Sequence, residues 1–111
     1  MAGRIDLDSW RGVQLGFTSE RFGFGSYLWE EPNRILISMI VSSRRRGNFR
    51  ALVQAIQAEG KAVAVPTPVG DMVRIVRKNG YVHSQELQEF GLTCDLWTLF
   101  IKPTSIKKET T

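Results

Sequence analysis

Midway along the chain the hydrophobic period changes twice, and this restricts the fold more than any other feature. Residues 34–43, "RILISMIVSS", form a nearly continuous apolar run of strand length, the pattern of a central strand covered on both faces. Apolar residues then recur at Phe49, Leu52, Val53 and Ile56, the i, i+3, i+4, i+7 spacing of a helix stripe, with Arg50, Gln54, Gln57 and Glu59 left for the other face. Gly60 is placed to stop that helix, and "KAVAV" at 61–65 returns to a buried-strand pattern. A helix between two buried strands implies a parallel pair joined by a right-handed crossover.

The flanking segments read differently. "GVQLGFTS" at 12–19 and "ERFGFGSYLWEE" at 20–31 alternate apolar and polar residues and predict an antiparallel hairpin, while Pro32 and Asn33 mark a turn. Residues 1–10 carry no clear period, although Asp6, Asp8 and Ser9 are suited to capping a short turn or introducing a strand. After the second strand of the parallel pair, Thr67 as N-cap and Pro68 at the first helical position predict a second helix whose stripe is Val69, Met72, Val73 and Val76, ending at Asn79 and Gly80. "YVHSQELQEF" and "CDLWTLFIKP", separated by Gly91, predict a closing hairpin. The expected fold is α+β: a mixed, mostly antiparallel sheet with a central parallel pair and two helices packed on it.

With 111 residues, 42% apolar and 23% charged, the chain is expected to form one domain over 1–103, followed by a polar tail at 104–111. Its single cysteine, Cys94, has no partner for an internal disulfide and reads as an inert, buried thiol; this suits a reducing compartment. No apolar stretch is long enough to span a bilayer, and the N-terminus lacks a signal-peptide core. The expectation is a cytoplasmic protein without a membrane partner or a bound metal. Trp10, Trp29 and Trp97 are not interleaved with basic residues, so they read as core or interface side chains rather than a base-stacking platform.

The net charge of +4 is local. Arg44, Arg45, Arg46 and Arg50 fall within seven residues, directly before and within the first turn of the predicted helix. A helix start exposes backbone N–H groups without intrahelical partners and places partial positive charge there, so anions collect at it. Gly47 removes the Cβ that would hold a phosphate away from the backbone, and guanidinium groups add forked donors. The spacing is neither a Walker motif nor a dinucleotide fingerprint. Chemistry alone therefore gives an anion site of the diphosphate class, with a solvated charge run and weak, salt-dependent nucleic-acid binding as the competing readings.

The pattern of a strand, "RRRGNFRALV", a helix, "VAVP", and a second helix ending in Gly80, Tyr81 and Val82 resembles the GNAT superfamily of acyl-CoA-dependent N-acyltransferases. The closing segment is also similar to GNAT-like proteins of tailed bacteriophages. The resemblance implies that Arg44, Arg45, Arg46, Gly47 and Asn48 hold the pyrophosphate of acetyl-CoA, and that Met39, Ile40 and Val41, on a splayed strand, hydrogen-bond its pantetheine arm. It implies N-acetylation of a protein lysine or N-terminal amine, the acceptor being a host protein if the chain is phage-encoded.

The chain also departs from that pattern. Phe49 stands where the superfamily has Gly or Ala, and the helix stripe directs its ring to the core. Val76 stands where many members carry a tyrosine acid, and valine cannot donate a proton. The usual first strand and two helices are not legible, which leaves an exposed edge or apolar face and makes a homodimer an expected partner arrangement. Glu30 and Glu31 are candidates to deprotonate the incoming ammonium, and His83 is a candidate base with suitable intrinsic pKa. Each also has a plain structural reading, as strand-end charges and a packed strand histidine. A catalytically inactive binding or virion-associated protein is the alternative to an enzyme.

Overall fold

The structure is a computed structural model that describes residues 3–41, 47–87 and 91–101. In chain order the elements are β1 (Gly3–Asp6), α1 (Trp10–Leu15), β2 (Tyr27–Glu30), β3 (Arg34–Met39), α2 (Asn48–Ala58), β4 (Ala62–Pro66), α3 (Asp71–Lys78), β5 (Val82–Leu87) and β6 (Thr93–Leu99). The strands form one six-stranded sheet in the order β1-β2-β3-β4-β6-β5, and β3–β4 is its parallel pair. The fold is thus α+β with a mixed, mostly antiparallel sheet and three helices.

Both crossovers, β3-α2-β4 and β4-α3-β5, move in the same direction across the sheet. Right-handed connections therefore put α2 and α3 on the same face. Ile5, Leu28, Ile35, Ile37, Val63 and Val65 form the floor beneath them, and Leu52, Val53, Ile56 and Val76 come down from the helices. The α2 stripe is the one expected, and Gly60, at φ 84°, ends the helix as its N–H bonds to the Gln57 carbonyl. Burial on both faces is most complete on β4, where Val63, Ala64 and Val65 are all buried; β3 buries Ile35 and Ile37 on one face and leaves Leu36 half-covered.

The N-terminal third corrects the expected hairpin over 12–31. Residues 10–15 are helical, and the first sheet strand comes from Gly3–Asp6, in the stretch without a legible period. Ser9 supplies the N-cap, its Oγ accepting from the Gly12 N–H at 3.0 Å, and Gly16 closes the helix in the left-handed region at φ 75°. Leu15 and Phe17 are both buried although their spacing of two suggested one strand face; the reversal at Gly16 brings them there. Phe22 joins Phe17 in the core, with ring centroids 5.4 Å apart.

The second helix also starts later than the expected Thr67 cap. Thr67 has φ 42° and donates its N–H to the Asp95 carbonyl, so it continues the β4–β6 pairing; Gly70 is the N-cap, and Val69 is exposed. The closing hairpin forms as expected, in register from Val82↔Thr98 to Leu87↔Thr93. The expected tail at 104–111 lies outside the described residues.

Candidate functional site

The parallel pair is short. Its register runs through Arg34↔Ala62, Ile35↔Val63 and Leu36↔Ala64, after which β3 continues to Met39 and β4 to Pro66 without further pairing to each other. The two central strands therefore diverge at their carboxyl ends, the position where open sheets with crossover helices leave a crevice. α2 begins at this end of β3. Its N-cap is Gly47, at φ 90°, and no side chain caps the first turn. A Cβ built on Gly47 would meet nothing within 4 Å, so nothing described crowds that position. Asn48 ties the head to the segment between α1 and β2 by donating from Nδ2 to the Arg21 carbonyl at 3.0 Å.

From this head a cleft of about 690 Å³ runs between α2 and α3. Phe49, Val53, Ile75 and Leu99 give it an apolar lining, which Gly47, Arg50, Gln54, Asn79 and Tyr81 complete. Tyr81 is 8% exposed as a residue; its hydroxyl has no hydrogen-bond partner among the described residues and keeps access to solvent, since no buried side-chain polar atom among them is left unpaired. Burial pushes the phenol up to about 12, so the hydroxyl stays protonated and is available as a donor. Phe49 is half-buried: it packs against the core cluster and lines the cleft. Val76 is fully buried, as the stripe indicated.

The candidate residues separate into three groups. Gly47 lines the cleft and Asn48, beside it, is turned to the Arg21 carbonyl, whereas Arg44, Arg45 and Arg46 lie outside the described residues. Met39 ends β3 and is exposed, Ile40 packs against the core, and the Val41 N–H is taken by Ser26 Oγ at 2.9 Å. His83 stands next but one to Tyr81 along the same strand direction, so period-two alternation puts both on one face. Its Nε2 lies 3.0 Å from Asp95 Oδ1 and its ring centroid 4.7 Å from that of Trp97. These hydrogen bonds, from His83 first and then Gln85, hold the Asp95 carboxyl below its ordinary value.

Glu30 and Glu31 lie elsewhere. They end β2 beside the start of β3, while Gly47 follows the end of β3. Arg11 binds the Glu30 carboxylate through two hydrogen bonds of 2.9 and 2.7 Å, and Lys61 Nζ adds a third at 2.6 Å. These contacts, led by Arg11, hold the Glu30 carboxyl at about 2, which makes it a weak base. Glu31 accepts from Arg34 Nε at 2.6 Å. Both carboxylates are thus occupied as ion-pair partners at the far end of the sheet.

Two other readings change. Trp10 is 81% exposed, so of its core-or-interface reading only the core half is overturned, and Cys94 is half-buried rather than enclosed. Tyr81 and Leu99 were not singled out by the sequence as site residues. The aromatic after Gly80 was visible, but nothing in the sequence indicates that its hydroxyl is left without a partner. Among the described residues no group of His, Cys, Asp and Glu is arranged to hold a metal ion, and no helix is long and apolar enough to cross a membrane. Compared with known proteins, the chain matches no family model, no curated sequence and no solved structure.

Proposed function

We propose that the protein is an acyl-CoA-dependent N-acyltransferase of the GNAT type, acting on a protein amine with acetyl-CoA as its simplest donor. The observation that carries this reading is the head of α2, which no side chain caps and where Gly47 sits at φ 90° with nothing within 4 Å of a Cβ built on it, beyond the divergence of β3 and β4. Free N–H donors at a helix start suit a pyrophosphate, and the gap between the strands suits an extended thiol-bearing arm. The arginine run before Gly47 adds charge of the required sign.

Direct attack of an amine on a thioester needs a positioned neutral amine, a route for its proton and polarisation of the carbonyl, but no covalent nucleophile. With Glu30 held as an ion-pair partner, His83 is the better-placed candidate base.

Calorimetric titration with acetyl-CoA tests this reading. Saturable binding that disappears in the Arg45→Glu/Arg46→Glu double variant supports it. Absence of binding, with a steeply salt-dependent signal on DNA instead, would replace it by the nucleic-acid reading. The buried Val76 and the engaged Glu30 favour one alternative, a catalytically inactive binding or virion-associated protein. Binding of CoA without any acetylated product in a host lysate by mass spectrometry would select it.

A further inference from the structure

We propose that the α2–α3 cleft is a binding site for a linear acyl chain, longer than acetyl, whose carbonyl oxygen accepts a hydrogen bond from Tyr81. Three observations converge on it. The first is size: about 690 Å³ is the volume of a small-molecule site, and an acetyl group would leave most of it filled with water. The second is shape. The α2 residues along the cleft run from Gly47 to Gln54, which at the helical rise is about 10 Å, a length comparable to an extended octanoyl chain. The third is chemistry. Phe49, Val53, Ile75 and Leu99 offer apolar surface, while the Tyr81 ring is enclosed and its hydroxyl, paired with no described side chain or carbonyl, remains accessible as a donor.

A purely aliphatic ligand would cover the Tyr81 hydroxyl and leave it unpaired, which is costly in an apolar setting. A chain carrying a single carbonyl satisfies that hydroxyl and buries its methylenes. The cleft opens at the uncapped head of α2, so one molecule can place an anionic group at Gly47 and its apolar part beyond Phe49. An acyl thioester of CoA and a free fatty acid share this chemistry. If the thioester is the source, the inference rests on the acyltransferase reading and identifies its donor; if the free acid is the source, it stands without that reading.

Calorimetry with octanoyl-CoA, acetyl-CoA, CoA and octanoate separates the cases. Each buried methylene is worth about fourfold in affinity, so octanoyl-CoA is expected to bind tighter than acetyl-CoA by at least about tenfold. Ile75→Trp, which fills the cleft from a half-buried position, is expected to erase that preference while CoA itself still binds. Tyr81→Phe is expected to weaken octanoyl-CoA about fivefold and to leave CoA unchanged.

If octanoate binds and CoA does not, the cleft takes the free acid and the acyltransferase reading fails. If acetyl-CoA and octanoyl-CoA bind equally and octanoate does not bind, the acyl-chain site is overturned and the acyltransferase reading survives. A preference for octanoyl-CoA that persists unchanged in Ile75→Trp also overturns the assignment to this cleft. Binding of none of the four removes both.

Discussion

Arg34, the first residue of β3, donates hydrogen bonds of 2.8 and 3.1 Å to the Glu86 carboxylate near the end of β5, although β4 and β6 lie between their strands. Three strand spacings in a flat sheet amount to about 14 Å before any offset along the strands. The contact therefore requires a strongly twisted and curled sheet. The curl helps to close the face opposite α2 and α3, where Ala64, Leu96 and Thr98 are buried. Arg34 also holds Glu31, so the sheet's curl and the β2–β3 turn share one guanidinium.

Glu86→Gln is expected to weaken this closure locally. The pair is partly exposed, with side chains 23% and 38% accessible, so the global loss is only about 0.5–1 kcal/mol. Amide exchange reports it better: the β5 amides should exchange faster in the variant while those of β4 change little. Equal acceleration in both strands would show that the bridge acts on overall stability and not on the curl.

Acid stability depends on the neighbouring cluster around Glu30, at the same end of β2 and β3 as Arg34. Arg11 bonds to Glu30 and to Glu59, and Lys61 bonds to Glu30, so one network joins α1, β2, the end of α2 and the start of β4. The Glu30 carboxyl sits at about 2, below the ordinary carboxylate value near 4.3. Its contribution is therefore complete above that ordinary value and is lost as pH falls toward 2. Glu30→Gln should cost roughly 1–3 kcal/mol at neutral pH and flatten the decline of stability between about pH 5 and 2. Urea midpoints measured across that range decide it, and an unchanged slope would remove Glu30 from the acid transition.

Which parts of this structure the sequence reveals depends on whether the cause is local. Leu52, Val53 and Ile56 mark α2 correctly because a helix stripe follows from spacing alone. Val13, Leu15 and Phe17 mislead because a spacing of two describes a strand, while the Ser9 cap and the left-handed Gly16 turn the same residues into a short helix and a reversal. Glu30 reads as a free base because Arg11 and Lys61 approach it from 19 and 31 residues away. The helix start at Gly47 was legible from residue types. The cleft was not, since it depends on Tyr81 and Leu99 meeting Phe49 and Ile75 across the fold.

Gly12 makes a direct test of the corrected N-terminal structure. A Cβ there would lie 2.6 Å from the Asp6 carbonyl oxygen and 2.9 Å from that of Phe17, and neither can move as a side-chain end could. Gly12→Ala is expected to destabilise by roughly 1–3 kcal/mol, as overpacking does, even though alanine favours helix. Residue 12 on an exposed strand of a hairpin would tolerate alanine, so a neutral or stabilising result in thermal unfolding would argue against α1 as described.

Gly47 and Gly60 flank α2 and both have left-handed φ, 90° and 84°, and a Cβ at either would meet nothing within 4 Å. Alanine at either position therefore carries the same left-handed strain, about 1 kcal/mol, and the two variants should unfold at similar denaturant concentrations. Only Gly47 stands where the helix presents its free donors, so only Gly47→Ala places a methyl group between those donors and a phosphate. CoA affinity is expected to fall about tenfold or more in Gly47→Ala and to stay within about twofold in Gly60→Ala. Matched stabilities with divergent affinities would locate the anion at the helix head, whereas parallel losses in both would mean that the strain acts through the fold and that CoA binds elsewhere.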